Sequence, residues 1–529
     1  MRSMQLNRRE FLWSAAASGL VLPFATRAQT AAGASSRRFP HSVASGDPLA
    51  DRVILWTRVA ATGDTADVRW VVATDSAFAR IVSSGTVRTT RARDFTVKVD
   101  AGGLDPATTY YYRFEHGAER SPIGRTRTLP VAAAERLRLA VVSCANYPYG
   151  FFNVYGRVAA RPDLDAVLHL GDYIYEFENG RYGDGAAIGR VPQPVGETIT
   201  LDDYRARYAT YRSDPDLQEA HRQHPFITVW DDHELANNAW RDGAANHQPD
   251  EGEWQTRRAA AWRAYLEWLP VREHADFTPR LYRTFRFGGL ADLVMLDARS
   301  LRDQQVAVDD LPGLSDGRRT MLGAAQEAWL ADQLRESQRA AIPWRLLGQQ
   351  VMFARMTPSG QKVRNADAWD GYQGARERVL DLLHEQRIKD LVVLTGDVHS
   401  SWAMDVPRSA WDGYDARSGE GSLAVEVTTP AISSPPIFAG DGQGRERAAA
   451  LRVLLPHLKF MDGENRGYVV LDVTAARAQV DYFFVATVQE RSDAETHVAA
   501  LVTERGSSHL ADAGTAAPTQ QAAALAPSA

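Results

Sequence analysis

Four short clusters of polar residues contain the types of side chain that bind metal ions in enzymes. They read Ser143-Cys144-Ala145-Asn146, Gly171-Asp172-Tyr173-Ile174-Tyr175-Glu176, Trp230-Asp231-Asp232-His233-Glu234 and Gly396-Asp397-Val398-His399. Carboxylates bind hard cations and can bridge two of them, whereas imidazole, thiolate and phenolate suit iron or zinc. Two neighbouring metal ions can activate a hydroxide and hold a phosphoryl group in line. These residue types therefore predict a polynuclear metal site with hydrolytic chemistry.

Each cluster taken alone also fits a structural role. Asp172 follows a glycine and could cap a helix, and Cys144 could be a small buried apolar residue. The pair Asp231-Asp232 is harder to explain in this way, because two adjacent carboxylates at an apolar strand end are costly without a cation. Four such clusters in one domain favour the metal site over four separate structural roles.

Each cluster follows a short apolar segment that predicts a β-strand. These segments are residues 137–143, 166–170, 226–230 and 390–395. A helical pattern over 150–160 separates the first two, which predicts a βαβ unit and parallel pairing. Ligands of an open α/β sheet bind beyond the carboxyl ends of its strands. The sequence therefore predicts an α/β catalytic domain over residues 136–490, with the site at those ends.

The rest of this domain shows further strand and helix patterns. Further strands are expected at 293–296, 344–349 and 423–428, and an antiparallel hairpin at 468–473 and 479–485. Helices are expected at 204–211, 253–268, 324–339 and 374–386.

The segments outside this predicted domain have different sequence patterns. Residues 37–130 show short alternating segments punctuated by Gly and Pro, which predict a β-sandwich. Within it, the stretch from Leu104 to Phe114 resembles a fibronectin type III corner, in which a Tyr hydroxyl ties a loop to an immunoglobulin-like sandwich. The Gly-rich stretch 179–200 predicts a loop whose Tyr and Arg residues could line a site. Residues 491–529 form a C-terminal segment that we expect to be partly disordered, since it is rich in Ala, Pro, Gln and Ser after Gly506.

The N-terminus has the pattern of an export signal. Arg8-Arg9 followed by Phe11-Leu12, an apolar stretch and small residues are typical of a twin-arginine signal, here residues 1–32. Cleavage is expected after Ala28 or Ala32. The pattern predicts a periplasmic or secreted protein, with the twin-arginine translocase as its partner during export.

Composition narrows the class of protein. The chain has 529 residues, of which 44% are apolar and 24% charged, as in ordinary globular proteins rather than fibrous, disordered or polytopic membrane chains. A formal net charge of -6 gives no general attraction to nucleic acid or to anionic membranes. A single cysteine excludes a disulfide scaffold and a four-cysteine zinc site. We expect a monomer without a specific nucleic-acid partner.

The clusters resemble the motif blocks of the metallophosphoesterase superfamily. Gly171-Asp172-x-x-Tyr175, Asp232-His233-Glu234 and Gly396-Asp397-x-His399 match three of them, with departures at Cys144, Asp232 and Asp397, where the superfamily has other residues. Those departures, together with Phe39-Pro-His-Ser-Val-Ala-Ser-Gly-Asp47 and Trp369-Asp-Gly-Tyr372, resemble the PhoD-type alkaline phosphatase/phosphodiesterase family. This family is related to the purple acid phosphatases, which share the Asp-x-x-Tyr pair.

The resemblance implies a fold, a metal set and a mechanism. The fold is a four-layer αββα sandwich behind the N-terminal β-sandwich, and the cofactors are one Fe3+ and two Ca2+. By position, Cys144, Asp172, Tyr175 and His399 resemble the iron ligands, with Asp172 bridging. Asp232 and Asp397 resemble calcium ligands, with Asn237 or Asn238 as a further candidate. A metal-bound hydroxide would attack phosphorus, His233 would assist the leaving oxygen, and Glu234 would orient His233. For contact with the phosphate oxygens the candidates are Arg157, Arg241 and Arg299.

Three other functions stay open at this point. A phospholipase D-like or nucleotide phosphodiesterase of the same fold would share these ligands and differ only in loops such as 179–200. A non-catalytic exported binding protein would use the sandwich instead, although intact Asp172, His233, Asp397 and His399 argue against it. A thiol enzyme with Cys144 as nucleophile would need a nearby His and no metal.

Overall fold

The structure is a computed structural model that describes residues 38–132, 134–273, 280–440 and 442–528. The predicted export signal, residues 1–32, lies outside the described residues. No helix within the described part of the chain is both long and apolar enough to cross a membrane.

A ten-stranded sheet forms the centre of the molecule. In spatial order its strands are β22 (Ala511–Asp512), β21 (Glu495–Glu504), β20 (Arg477–Val485), β19 (Gly467–Thr474), β9 (Arg136–Val142), β10 (Ala166–His169), β11 (Pro225–Thr228), β1 (Val43–Gly46), β2 (Arg52–Arg58) and β5 (Thr96–Gly102). The neighbours β9, β10 and β11 are parallel, as the βαβ pattern predicts. The predicted hairpin of β19 and β20 is antiparallel.

A seven-stranded sheet packs against one face of the first. Its order is β12 (Arg283–Phe287), β13 (Ala291–Met295), β14 (Trp344–Gly348), β15 (Leu391–Thr395), β17 (Ser422–Thr428), β16 (Ser401–Pro407) and β18 (Leu458–Asp462). Alternate residues of a strand point to opposite faces. Leu293 and Met295 accordingly join the core between the two sheets, while Val294 and Leu296 join a second core under the helices.

Helices cover the outer faces of both sheets. Those on the ten-stranded sheet are α1 (Asn153–Ala159), α2 (Leu201–Arg212), α3 (Pro215–Gln223) and α4 (Trp254–Trp268). Those on the seven-stranded sheet are α6 (Gly323–Arg339), α7 (Gln373–Glu385) and α8 (Gly444–Leu454), with the short α5 (Leu311–Ser315) before them. Thr200 begins α2 with a capping box to Asp203, and the Asp214 carboxylate caps α3. Two sheets between two helix layers form the predicted αββα arrangement.

The N-terminal sandwich shares a sheet with the catalytic domain. Its outer sheet contains β4 (Ile81–Thr90), β3 (Thr65–Ala73), β6 (Thr109–His116), β7 (Glu119–Arg120) and β8 (Gly124–Arg127). Its inner sheet is β1, β2 and β5, and β1 pairs with β11 in parallel. An apolar core lies between the two sheets. The Tyr110 hydroxyl accepts a hydrogen bond from the Asp105 amide at 2.8 Å, which is the contact that the sequence pattern predicts.

The C-terminal segment differs from its prediction. Residues 495–504 form strand β21 at the edge of the large sheet. The chain after Gly506 is ordered along the body, although its composition predicts disorder. Its backbone bonds to polar side chains of the folded core: the Pro518 carbonyl accepts from Arg138 at 3.0 Å, and the Ala526 amide donates to Gln223 at 2.8 Å. A segment without an apolar core of its own can thus be held by partners that lie far away in sequence.

Candidate metal centre

The four predicted clusters meet at one place in the fold. Cys144, Asp172 and Asp232 follow β9, β10 and β11 in the ten-stranded sheet, while Asp397 and His399 follow β15 in the other sheet. The prediction that all four lie beyond strand carboxyl ends is therefore confirmed. The site lies where the ends of both sheets come together, so the candidate ligands come from both sheets.

The side chains form three overlapping groups of possible metal ligands. Their members are Cys144, Asp172 and His399; Asp172, Asp232 and His233; and Asp231, Asp232 and Asp397. Within each group, one ligand atom per residue lies within 4.8 Å of the others. Asp172 belongs to the first two groups and Asp232 to the last two. Because carboxylates can bridge cations, the overlap suits a site with more than one metal ion.

Tyr175 completes the first group. Its hydroxyl lies 2.9 Å from Asp172 Oδ2 and 3.1 Å from His399 Nε2. The Ser434 hydroxyl donates to the same Tyr175 oxygen at 2.7 Å. The phenol, thiol, imidazole and bridging carboxylate that the sequence resemblance implies as one ligand set therefore converge on a single point.

The backbone at these residues adopts a conformation that side chains rarely favour. Cys144, Asp172, Asp397 and His399 have φ of 63°, 54°, 61° and 52°. Left-handed conformations of such residues persist where the surrounding structure enforces them, and they cluster at functional sites. Gly171 has φ of 105°, and a Cβ at this position would lie 2.4 Å from Asp231 atoms. The close approach of the β10 and β11 ends therefore requires glycine.

The candidate metal centre is buried and contains many acidic side chains. Burial and the Asp172 carboxylate raise the pKa of the Cys144 thiol well above its usual range. Burial likewise raises the pKa of Asp231, against the opposing effect of Arg299. Among the described residues, Asp172 Oδ1 and Asp231 Oδ2 are buried carboxylate oxygens without a hydrogen-bond partner. Buried carboxylates need paired charge, so this donor set fits bound cations.

Arg299 supplies a positive charge within the acidic cluster. Its guanidinium is fully buried and lies 3.0 Å from Asp397 Oδ1 and 2.6 Å from Asp367 Oδ2, and its Nε donates to Asp231. Of the three arginines predicted to meet phosphate, it is the one that lies among the ligand residues. Its Nε and both terminal nitrogens donate to carboxylates, so the guanidinium positions the acidic side chains of the cluster.

The other two arginine candidates pair with acidic side chains outside the three ligand groups. Arg157 on α1 faces β21 and pairs with Glu495 at 3.5 Å, so its predicted place in the site is wrong. The helix turns this side chain toward a strand that the sequence prediction did not include. Arg241 is exposed and pairs with Asp242 at 3.1 Å and Asp303 at 3.3 Å.

The partner of His233 also differs from the prediction. Its Nδ1 lies 2.6 Å from Oε2 of Glu176, not against Glu234. Glu234 instead accepts from the backbone amides of Asp172 at 3.1 Å and Tyr173 at 2.6 Å. Its predicted role in orienting His233 is therefore wrong, because its carboxylate joins two strand-end loops. Burial lowers the pKa of His233, but Asp232 and Glu176 outweigh it and raise that pKa to about 10.

The asparagines contact the site through their backbone. The Asn237 amide donates to Glu176 at 2.7 Å, and the Asn238 amide donates to Asp232 at 2.6 Å. The sequence reasoning gave no role to Glu176 or Asp367, whereas the loop 179–200 that it expected to line a site does bring Tyr182 to the centre. Glu176 carried a signal, since it directly follows Tyr175 in the second cluster. Asp367 carried none, because it comes from a loop whose path only the tertiary structure shows.

Comparison with known proteins agrees with this geometry. A family model described as PhoD-like phosphatase matches residues 139–482, and one described as PhoD-like phosphatase, N-terminal domain, matches residues 25–130. The chain is 37% identical over 502 residues to alkaline phosphatase D of Bacillus subtilis (strain 168), covering 90% of this chain and 82% of that protein. A solved structure of PhoD aligns with a TM-score of 0.82 at 34% identity, over 92% of this chain and 94% of the other. A purple acid phosphatase from yellow lupin seeds shares the fold, with a TM-score of 0.51 at 12% identity, over 83% of this chain and 71% of the other.

The two facing sheets, with clusters of possible metal ligands at their strand ends, have a metallophosphoesterase-like fold, and the family matches identify the protein as a hydrolase. Within that class the chain belongs to the PhoD-like phosphatase family, and it is a phosphoesterase.

Proposed function

We propose that this phosphoesterase is metal-dependent and hydrolyses phosphate monoesters, diesters or both, with one ferric and two calcium ions. The observation that carries the proposal is the sharing of Asp172 and Asp232 among three overlapping ligand groups. Cys144, Tyr175 and His399 with Asp172 would hold the iron, and Asp232 and Asp397 would hold calcium, a hard cation that prefers oxygen ligands. When bound, such cations supply Lewis acidity and a nucleophile derived from water.

The chain's own residues would hold and protonate the substrate. Glu176 accepts from His233 Nδ1 and fixes the ring, so that Nε2 faces the ligand carboxylates, 3.9 Å from Asp232 Oδ1. A proton on Nε2 can then pass to the leaving oxygen as the ester bond breaks. Arg299 holds Asp231 and Asp397 in place through its planar fork.

The first test compares hydrolysis of p-nitrophenyl phosphate and bis-p-nitrophenyl phosphate by natively exported protein, with calcium and with excess EGTA. We expect calcium-dependent turnover and about one iron per chain by elemental analysis. The matched variants are Asp172→Asn, which removes the shared carboxylate charge, and Asp242→Asn on the surface. Loss of activity in the first alone supports the proposal. Full activity in a metal-stripped enzyme would overturn it.

The ratio of the two substrates also separates a monoesterase from a diesterase of phospholipase D or nucleotide type. A thiol mechanism is disfavoured because Cys144 has no exposed surface and its sulfur donates to Ser143 at 3.2 Å. A Cys144→Ser variant that keeps iron yet loses all turnover would favour that mechanism instead.

We further propose export through the twin-arginine pathway and a monomeric mature protein. The pattern Arg8-Arg9 with Phe11-Leu12 supports export. The double change Arg8→Lys and Arg9→Lys should retain the uncleaved protein in the cytoplasm. Mass spectrometry of the exported protein gives the cleavage position, and light scattering gives its oligomeric state.

A further inference from the structure

Two aromatic side chains stand beside the metal-ligating residues without being ligands themselves. Phe177 and Tyr182 are half-buried, whereas the proposed ligand Tyr175, whose ring lies 5.6 Å from that of Tyr182, is buried. Their rings lie 5.8 Å apart at an angle of 71°. We call these two rings the aromatic wall. Their partial exposure leaves surface available to a bound molecule.

The aromatic wall flanks both histidines of the site. The Tyr182 ring is nearly parallel to those of His233 and His399, with centroids 6.2 Å and 6.3 Å away. The Phe177 ring lies 5.4 Å from the ring of His233. The Tyr182 hydroxyl also lies 3.1 Å from His399 Nδ1. The wall therefore stands next to the residue that we propose as proton donor.

Fixed contacts hold the aromatic wall in place. Arg207 of α2 donates to the Phe177 carbonyl at 3.0 Å and to the Pro194 and Gly196 carbonyls at 2.9 Å. Asn146, the last residue of the first strand-end cluster, donates to the Tyr182 carbonyl at 2.9 Å. A buried arginine and a buried asparagine thus fix the segment that carries both rings. The wall is a built surface rather than a chance contact of a loop.

We propose that Phe177 and Tyr182 bind the leaving group and select phosphate esters whose leaving group carries a planar ring. This inference rests on the proposed function, in which His233 protonates the leaving oxygen. A leaving oxygen close enough to take a proton from His233 places the rest of the leaving group beside the aromatic wall. Planar rings stack on aromatic side chains with favourable offset or edge contacts, whereas saturated rings lack the matching π-face.

The test uses two monoesters that differ in planarity but little in leaving-group acidity, benzyl phosphate and cyclohexylmethyl phosphate. We expect the wild type to prefer the benzyl ester by about 10-fold in kcat/KM, the size that one stacking contact typically gives. Tyr182→Leu keeps apolar bulk without a planar face and should remove most of that preference. Tyr182→Phe keeps the ring and should retain it. Val195→Ala, on the exposed part of the same loop, is the control.

Because the Tyr182 hydroxyl also contacts His399, a change at Tyr182 could affect that histidine as well as ring binding. Phe177→Leu is a second variant that tests ring binding with this contact intact. Phe177 contacts the His233 ring and Tyr182, so its loss should lower the preference while iron content stays unchanged. Equal losses on both esters in both leucine variants would overturn the inference and leave the wall a purely structural role. Equal rates on the two esters in the wild type would also overturn it. Absence of turnover on every ester would instead count against the proposed function itself.

Discussion

Glu176 Oε2 accepts a hydrogen bond from His233 Nδ1 at 2.6 Å, and its other oxygen accepts from Asn246 Nδ2 at 2.9 Å. The carboxylate directly follows the proposed ligand Tyr175 in sequence, whereas the histidine directly follows the proposed ligand Asp232. One contact therefore joins the β10 and β11 loops and sets which nitrogen of His233 faces the site. In metal enzymes, such outer contacts tune the groups that they orient.

Removal of the Glu176 charge should impair catalysis through His233. We expect Glu176→Gln to lower kcat by about 10- to 100-fold, because the ring loses its anchoring carboxylate. The loss should be larger for poor leaving groups, which need protonation, than for p-nitrophenolate. Leaving-group dependence measured at constant metal content checks this. The surface variant Glu336→Gln should behave as the wild type, and an equal loss for all leaving groups would argue for a structural effect alone.

Arg299 should be essential to the stability of the metal-free protein. Its guanidinium pairs with Asp231, Asp367 and Asp397 in a fully buried setting. Removal of one partner from a buried ion pair costs about 3–5 kcal/mol, because the remaining charges stay uncompensated. Arg299→Met should therefore lower the free energy of unfolding by about that amount, measured by urea denaturation in EDTA.

The exposed Arg241 provides the comparison for that experiment. Its pairs with Asp242 and Asp303 are open to solvent, so Arg241→Met should change the free energy of unfolding by less than about 1 kcal/mol. Equal effects of the two substitutions would show that the buried cluster does not depend on Arg299.

The ordered C-terminal tail should stabilise the fold without entering catalysis. The tail contacts the sandwich, where the Tyr111 hydroxyl donates to the Ala524 carbonyl at 2.6 Å, and the catalytic domain, where Gln520 bonds to Asp163. Deletion of residues 516–529 should lower Tm by a few degrees and leave kcat unchanged, because each lost bond contributes about 1 kcal/mol at most. Calorimetry checks this, with deletion of residues 528–529 as the control. An unchanged Tm would show that these contacts contribute nothing.

Buried histidines should make the protein sensitive to acid. Burial, with smaller effects of nearby arginines, lowers the pKa of His41 and His224 from 6.5 to about 3. Between these values the unfolded chain binds more protons than the folded one, so stability falls as the pH falls. Each histidine should cost about 1 kcal/mol per pH unit below 6.5, down to pH 3.

His224→Gln isolates one of these contributions. The free energy of unfolding of this variant, measured from pH 7 to pH 4, should fall less steeply with decreasing pH than that of the wild type. The two slopes should differ by the contribution of one histidine, about 1 kcal/mol per pH unit. His384→Gln, at an exposed position of α7, is the control and should leave the slope unchanged. An unaltered slope in His224→Gln would contradict a neutral, buried imidazole.

Local sequence patterns determined the strands of the catalytic domain and the types of residue at the candidate site. Short apolar runs between polar clusters predicted the strands that precede Cys144, Asp172, Asp232 and Asp397, because strand length and alternation are readable within a few residues. The placement of those clusters at carboxyl ends followed from parallel pairing alone. The residue types then indicated the metal chemistry before any distance was known.

Long-range packing decided the rest. Local patterns did not show that the site draws on two sheets, that β1 extends the catalytic sheet, or that the Ala-rich tail is ordered. Glu234 and Arg157 were assigned wrongly for the same reason, since the partner of a side chain depends on which distant segment faces it. Glu176 met His233 across 57 residues, and Arg299 met Asp231 across 68. Such contacts form only when the whole core is assembled, because their energy depends on burial that no single segment provides.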